Sequence, residues 1–135
     1  MIDARIHTGV DSFSWAFELD ALAEAGDADS LEERLAVRDA LSGVERTPYV
    51  EATYTRFRGR LLALRGDSVG AVEELETAVR RFAAEGMAFY EAATRVDLAE
   101  AGGPPVPAEA RATLERLDAK PWIARADAAE RAVTV

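Results

Sequence analysis

The sequence predicts an all-α protein, and three observations support this prediction. Of the 135 residues, 49% are hydrophobic, so the chain is able to bury a core and is not expected to be disordered. Alanine, arginine, glutamate and aspartate are abundant and favour helices, whereas no sustained alternation of apolar and polar residues indicates a strand. Glycine and proline recur where apolar periodic segments end. The length predicts one domain over residues 1–135.

The first predicted hairpin covers residues 12–43, with helices over 12–25 and 29–42. Each helix has apolar residues at one-turn spacing that we expect to face inward: Trp15, Leu19, Leu22 and Ala23 in the first, and Leu31, Leu35 and Leu41 in the second. Asp11 or Ser12 is expected to cap the first helix. Gly26 and Gly43 are expected to end the two helices, because glycine tolerates the left-handed backbone found there.

The second predicted hairpin covers residues 47–86. Thr47 is the expected N-cap of its first helix, and Pro48 occupies the first helical position, where a missing N–H costs nothing. Gly66 and Gly86 end its two helices. The expected inward residues are Tyr54, Phe57, Leu61 and Leu64, followed by Val69, Val72, Leu75, Val79 and Phe82.

The third predicted hairpin covers residues 87–118, and a final helix covers 121–134. The stretch "AGGPPVP" separates the two helices of this hairpin, because its glycines and prolines are unable to continue a helix. Pro121 opens the final helix. The expected inward residues are Phe89, Ala93, Val96 and Leu98, then Ala110, Leu114 and Leu117, then Trp122, Ala126, Ala129 and Val133.

A Gly-Asp corner between helices occurs twice. The segments "EAGDADSLEERL" at 24–35 and "LRGDSVGAVEEL" at 64–75 each contain a helix end, a corner and a new helix. In each, glycine reverses the chain and aspartate favours the positive N-terminus of the next helix. The two segments start at residues 24 and 64, and a repeat with this spacing is typical of stacked helical hairpins, which bury their apolar faces against one another.

These hairpins resemble the tetratricopeptide repeat. The second hairpin matches through Gly59 and Leu62, then Ala71, Leu75 and Ala78, and the first through Trp15, Leu19 and Leu22, then Leu31 and Leu35. The resemblance covers roughly residues 12–118. It implies about three antiparallel helical hairpins in a short right-handed solenoid, and we expect the final helix to cap its C-terminal end.

A second resemblance covers "AVRRFAAEGMAFYEAATRVDLAEA" and the later "ATLERLDAKPWIARADA". They look like the close of the helical-repeat region in bacterial nucleotide cyclases and LuxR-type ATPase transcriptional regulators. The matching residues are Phe82, Gly86, Met87, Phe89, Glu91 and Ala92, then Leu114, Leu117, Ala119, Pro121, Trp122, Arg125 and Ala126. This resemblance implies a sensing or docking region without catalytic residues, either standalone or a segment of a larger regulator.

Composition and charge exclude several classes of function. The net charge of −9 repels phosphate backbones, so no nucleic-acid partner is expected. No apolar run reaches the ~18 residues of a membrane span, and residues 1–12 do not form a signal peptide. The chain has no cysteine, which fits the cytoplasm and excludes thiolate metal sites. The single histidine, His7, is expected to be a solvated tail residue. No metal and no cofactor are expected.

The candidate binding residues lie at groove-facing positions of the tetratricopeptide resemblance: Phe13, Thr53, Arg56, Arg60 and Phe89. In carboxylate-clamp members of that family, basic residues at the positions of Arg56 and Arg60 hold the C-terminus of a peptide, a role that suits guanidinium groups. The first and third hairpins lack such residues, so a full clamp is absent. The alternative is that Arg56 and Arg60 pair with neighbouring acids, and that the aromatic residues pack under the terminal segments.

The sequence therefore predicts a non-enzymatic protein-interaction module that binds a peptide or helix in a concave groove. Two alternatives remain open. One is self-association, for instance as a homodimer, through end faces that no further repeat covers. The other is a small enzyme that uses carboxylates alone, which would require two acids with raised pKa values in one pocket.

Overall fold

A computed structural model describes the backbone of residues 9–134 and the side chains of residues 12–133. This part of the chain contains seven α-helices and one 3-10 segment, and it contains no β-strand. The all-α prediction is therefore confirmed. The helices are α1 (Gly9–Ala25), α2 (Ala28–Leu35), α3 (Pro48–Leu64), α4 (Ser68–Ala84), α5 (Ala88–Glu100), α6 (Ala108–Arg116) and α7 (Lys120–Thr134), and the 3-10 segment is Ala36–Ala40.

The predicted corners are confirmed in detail. Gly26 and Gly66 have φ angles of 71° and 84°, in the left-handed region that favours glycine. The Asp27 side chain accepts a hydrogen bond from the backbone N of Ser30, and the Asp67 side chain accepts one from Gly70. Thr47 caps α3 in the same way. These local contacts satisfy amides at the helix starts that have no partner within the helix.

Two helix boundaries differ from the prediction. The first helix begins at Gly9, so both Asp11 and Ser12 lie inside it and neither is its cap. The second helix ends at Leu35, and the chain winds more tightly through the 3-10 segment up to Ala40. Gly43 therefore does not end a helix, and its φ is not in the left-handed region. In that segment Arg38 donates two hydrogen bonds of 2.8 Å to the carboxylate of Glu51 on α3. This bidentate contact between the 3-10 segment and α3 is a tertiary constraint that the local sequence pattern does not contain.

The helices pack as consecutive hairpins. Helix α1 contacts α2, α3 contacts α4, and α5 contacts α6; in addition, α3 packs on both α1 and α2, and α7 packs on both α5 and α6. Helix α7 therefore packs against both helices of the hairpin α5–α6, as α3 packs against both helices of the hairpin α1–α2. Close approach of α3 and α4 depends on Gly59, where an added Cβ would lie 2.7 Å from Cγ of Leu75. This packing is compatible with a helical-repeat fold.

Most of the expected inward residues are buried or half-buried, but four are exposed. Leu64, Val69, Leu117 and Val133 are 42%, 74%, 53% and 77% exposed. Each of them lies within a turn of a helix end. For these four residues the prediction of burial is wrong.

Within the described range, none of the helices combines the length and the apolarity that crossing a bilayer requires.

Candidate functional site

The odd-numbered helices α1, α3, α5 and α7 are joined by ion pairs on one face of the protein. Nη1 of Arg125 on α7 lies 3.5 Å from Oε1 of Glu24 on α1. Packed helices lie about 8–10 Å apart, so in a flat row the first and fourth helices would be separated by about 25–30 Å. An ion pair between them means that the row curls toward this face. We call it the inner face.

Asp97 on α5 is the centre of the inner face. Its Oδ2 accepts a hydrogen bond of 2.6 Å from Nε of Arg56 on α3, and its Oδ1 accepts one of 2.8 Å from Nη2 of Arg125. Nε of Arg60 lies 3.8 Å from Oδ1. The Asp97 side chain is only 2% exposed. Burial by itself would raise the pKa of this carboxyl, but the three guanidinium groups outweigh that effect and hold the pKa below its usual value.

The ion pairs extend from Asp97 to further acids. Arg60 contacts Asp20 and Glu24 of α1 at 3.0 and 3.3 Å, and Arg125 also pairs with Glu100 of α5. We call the whole set the charge belt: Asp20, Glu24, Arg56, Arg60, Asp97, Glu100 and Arg125. Three guanidinium groups thus face four carboxylates. Among the described residues, each arginine of the belt is already paired with an acid, and the belt presents no surplus of positive charge.

A row of aromatic side chains lies beside the belt, near the N-terminal ends of the odd-numbered helices. The ring centroids of Phe13 and Tyr49 are 4.9 Å apart, those of Tyr49 and Tyr90 are 5.2 Å apart, and those of Tyr90 and Phe89 are 5.3 Å apart. Trp122 continues the row at 6.3 Å from Phe89. We call these five residues the aromatic row. Phe13 is 52% exposed and the other four are half-buried, so the row forms part of the surface.

Trp122 connects the aromatic row to the charge belt. The guanidinium carbons of Arg56 and Arg125 lie 5.1 and 4.4 Å from the centre of its ring. Nη2 of Arg56 is buried and has no hydrogen-bond partner among the described residues. The Arg56 guanidinium instead makes cation–π contacts with the rings of Trp122 and Phe57, which stabilise its charge in the absence of an oxygen acceptor for Nη2. The belt therefore fixes the position of the row through Trp122.

The structure places four of the five candidate residues in these two features, and Thr53 in neither. Phe13 and Phe89 belong to the aromatic row, and Arg56 and Arg60 belong to the charge belt. Thr53 is 3% exposed and lies on α3 one turn before Arg56. Pairing of the two arginines with acids, which the sequence left open as the alternative, is the arrangement that the described residues have.

The remaining arginines of the third helix point elsewhere. Arg58 lies 3.5 Å from Glu74 of α4, and Arg65 pairs with Asp29 and Glu32 of α2. Arg58 and Arg65 thus pair with acids of α4 and α2, whereas Arg56 and Arg60 both contact Asp97, so the four arginines do not form one basic patch. Separation of this kind follows from helical geometry, because residues two apart point to opposite sides.

Sequence reasoning missed the partners that define the site, namely Asp97, Arg125, Tyr49 and Tyr90. Asp97 carried a signal, because an acid between two residues expected to face inward, Val96 and Leu98, is forced close to the interior. A buried carboxylate requires a cation, and the arginines of α3 were the nearest candidates.

Burial is the main cause that raises the pKa of Tyr49, so the phenol of this residue stays protonated and neutral.

Within the described residues, no group of three or more histidine, aspartate or glutamate side chains is arranged to hold a metal ion. His7 lies outside the described residues. Comparison of the chain with known protein families, with curated proteins and with solved structures gives no match.

Proposed function

We propose that this protein is a non-enzymatic protein-interaction module that binds a peptide or a helix of a partner protein along its inner face. The observation that carries the proposal is the aromatic row, which crosses all four odd-numbered helices and is partly open to solvent. Partly exposed aromatic side chains give large apolar contact area at low entropic cost and are common anchors of binding sites. Their spacing along the row suits an extended or helical segment.

In this proposal the arginines support the site and do not clamp a carboxylate. Arg56 is 6% exposed and its Nε is bonded to Asp97, so a peptide C-terminus would have to displace an internal acid. The Arg60 side chain is 13% exposed and pairs with Asp20. Arg56 and Arg60 are therefore positioning residues, which hold Trp122 and the odd-numbered helices in place. The partner is bound chiefly through apolar contacts with the row.

The wider role that we propose is a scaffold in bacterial signalling or transcription control in the cytoplasm. Two features support it: the likeness of residues 82–126 to the closing repeats of bacterial regulators, and a hairpin packing compatible with a tetratricopeptide-type array. The reaction chemistry would then belong to other proteins or domains, and this chain would supply recognition.

Selection of peptides displayed on phage tests the proposal and does not require the partner to be identified first. Peptides enriched on the wild-type protein are re-tested on Tyr49→Ala and on Val69→Ala. Tyr49 is in the aromatic row, whereas Val69 is an exposed apolar residue on α4. We expect binding to be lost with Tyr49→Ala and kept with Val69→Ala. Peptides that bind all three proteins equally, or no enrichment at all, would contradict the proposal.

The Tyr49→Ala protein must be folded for this comparison, because Tyr49 is half-buried. Thermal melting followed by circular dichroism checks this. Phe13→Ala provides a second variant in the same row, and its 52% exposure means that little buried area is lost. Agreement between the two variants assigns the effect to the aromatic row and separates it from damage to the fold.

Self-association is the second candidate function, and one observation favours it. Phe17 on α1 is 81% exposed, which is unusual for so large an apolar side chain at the end of a stack of hairpins. A mass that rises with protein concentration in analytical ultracentrifugation would support self-association. A monomeric mass at all concentrations would leave the peptide-binding function as the remaining candidate.

A further inference from the structure

Helix α1 has two apolar faces. Trp15 and Leu19 face the core and are 2% and 0% exposed. Phe17 lies midway between them in sequence, about 200° around the helix from either residue, and is 81% exposed. Phe13 and Ala21, one turn before and one turn after Phe17, are also exposed and extend the outer face along the helix. Packing in the core accounts for the apolar residues of the inward face, and it does not account for those of the outer face.

The outer surface of α1 and α2 has two shallow, open grooves that adjoin each other. One groove runs along Phe13, Phe17 and Ala21, and the second lies between α1 and α2. Both grooves include Glu18 and Ala21, so they meet at the middle of α1. We call this surface the end face, because it is the N-terminal end of the stack formed by the described residues.

The packing of the other hairpins indicates what fits on such a surface. Helix α3 lies against both members of the hairpin α1–α2, and helix α7 lies against both members of α5–α6. Two of the three hairpins therefore accept one helix against their pair of helices. The end face presents the opposite side of the first hairpin, with an apolar stripe along it. An α-helix with an apolar stripe is the complementary shape.

The charges around the end face indicate which charge the partner carries. Helix α1 contains no lysine or arginine, and Glu18 of α1 and Glu33 of α2 line the grooves. Arg34 is the basic residue at this edge, and its Nη2 is 2.7 Å from Oε2 of Glu18. A second copy of the chain would bring like charges together at this rim, in a protein of net charge −9. A partner with basic residues beside its apolar stripe is favoured instead.

We propose that the end face binds a basic amphipathic α-helix of another protein. The apolar stripe of that helix lies on Phe13, Phe17 and Ala21, and its flanking lysine or arginine side chains contact Glu18 and Glu33. This interaction goes beyond the peptide binding proposed for the inner face, since Phe17 and Glu33 belong to neither the aromatic row nor the charge belt. The two surfaces share only Phe13.

A synthetic peptide tests this proposal. The probe is a fluorescein-labelled helical peptide of 17 residues, the length of α1, with leucine on one face and lysine beside it. Its binding to the wild-type protein is measured by fluorescence anisotropy, together with binding to Phe17→Ser and Val69→Ser. Burial of a phenylalanine side chain corresponds to an affinity change of about tenfold or more, so we expect Phe17→Ser to weaken binding by that factor. Val69→Ser, with a similarly exposed side chain on α4, is expected to bind as the wild type does.

Charge is tested with two further reagents. A peptide in which glutamate replaces lysine is expected to bind at least about tenfold more weakly than the lysine peptide at low salt. The variant Glu33→Gln is expected to reduce the salt dependence of lysine-peptide binding. Phe17 and Glu33 are exposed, so both variants are expected to fold as the wild type does, which thermal melting verifies.

Three results would overturn the proposal. Equal binding by wild type and Phe17→Ser would mean that the lysine peptide is held by the general negative charge of the protein. Equal binding of the lysine and glutamate peptides would exclude a basic partner. A wild-type dimer in ultracentrifugation that Phe17→Ser converts to a monomer would assign the end face to a second copy. None of these results bears on Tyr49, so the inner-face proposal is tested separately.

Discussion

Nε of Arg56 on α3 donates a hydrogen bond of 2.6 Å to Oδ2 of Asp97 on α5, and both side chains are more than nine-tenths buried. The two residues are 41 positions apart in sequence. Their contact fixes the distance between two odd-numbered helices at the middle of the inner face. A pair of charges in this position is costly to form, and removal of one partner leaves the other charge buried without compensation.

Removal of the charge on Asp97 is expected to destabilise the protein strongly. Asp97→Asn keeps the shape of the side chain but leaves the guanidinium of Arg56 without an opposite charge, and we expect a loss of about 3 kcal/mol or more in the free energy of unfolding. Urea denaturation measures it. The control is Asp127→Asn, which removes the 2.8 Å ion pair between Asp127 and Arg111 on a more exposed surface and should cost less than about 1 kcal/mol. Equal losses in the two variants would contradict the central role of Asp97.

Acid is expected to remove the contribution of Asp97 to stability. The pKa of Asp97 in the folded protein is held below the ordinary value of 3.8, so folding favours the ionised form. Its stabilising effect is fully present above pH 3.8 and is lost as the pH falls from that value through the pKa of the folded state. Urea midpoints measured from neutral pH into this range for wild type and Asp97→Asn check the prediction. The difference between the two proteins should shrink in acid, and a difference that stays constant with pH would refute it.

Reversal of charge at the two inner-face arginines is expected to damage the fold. The double substitution Arg56→Glu with Arg60→Glu places two more carboxylates beside buried Asp97, and we expect a loss of at least about 4 kcal/mol. Circular dichroism and urea denaturation measure it. Arg58→Glu is the control on the same helix, because the Arg58 side chain is 51% exposed and loses only a 3.5 Å contact with Glu74. A stable double variant with unchanged helical content would show that the belt is not needed for folding.

The close contact of α3 and α4 predicts that Gly59 tolerates no side chain. The Cβ of Gly59→Ala would lie 2.7 Å from Cγ of buried Leu75 and 3.3 Å from the carbonyl oxygen of Ala71. Overpacking of this kind costs about 1–3 kcal/mol, which exceeds the gain of about 1 kcal/mol from replacing glycine with alanine inside a helix. We expect a net loss of stability in thermal unfolding. Gly43→Ala, which meets no atom within 4 Å, is expected to change stability by less than about 0.5 kcal/mol. A Gly59→Ala protein as stable as the wild type would disprove the close contact.

The sequence predicted the helices and corners well because these depend on neighbouring residues. Thr47 and Pro48 define the start of α3, and Gly66 and Asp67 define the corner after it, through hydrogen bonds within a few positions. Exposure at helix ends was harder to predict. Val69 fits the apolar spacing of α4, yet it is 74% exposed. The spacing within one helix does not specify which of its end positions another helix covers.

The site was predicted only in part, since its geometry depends on distant partners. The resemblance placed Arg56 and Arg60 at groove-facing positions, and both do lie on the inner face. Their actual partners, Asp97 and Asp20, come from other helices, and their distances depend on how strongly the row of helices curls. No local pattern encodes that curl. For the same reason Tyr49 and Trp122 could not be joined to Phe13 as one aromatic row before the helices were assembled.

The contact between Glu24 and Arg125 also bears on the order in which the molecule assembles. The corner contacts and the hairpin interfaces join residues close in the chain and are expected to form early, whereas the link between the first and last helices requires every hairpin to be in place. Interactions that form after the folding transition state affect the unfolding rate and leave the folding rate unchanged. The ion pair between Glu24 and Arg125 is therefore expected to slow the loss of α7 from the native state and to leave the folding rate unchanged.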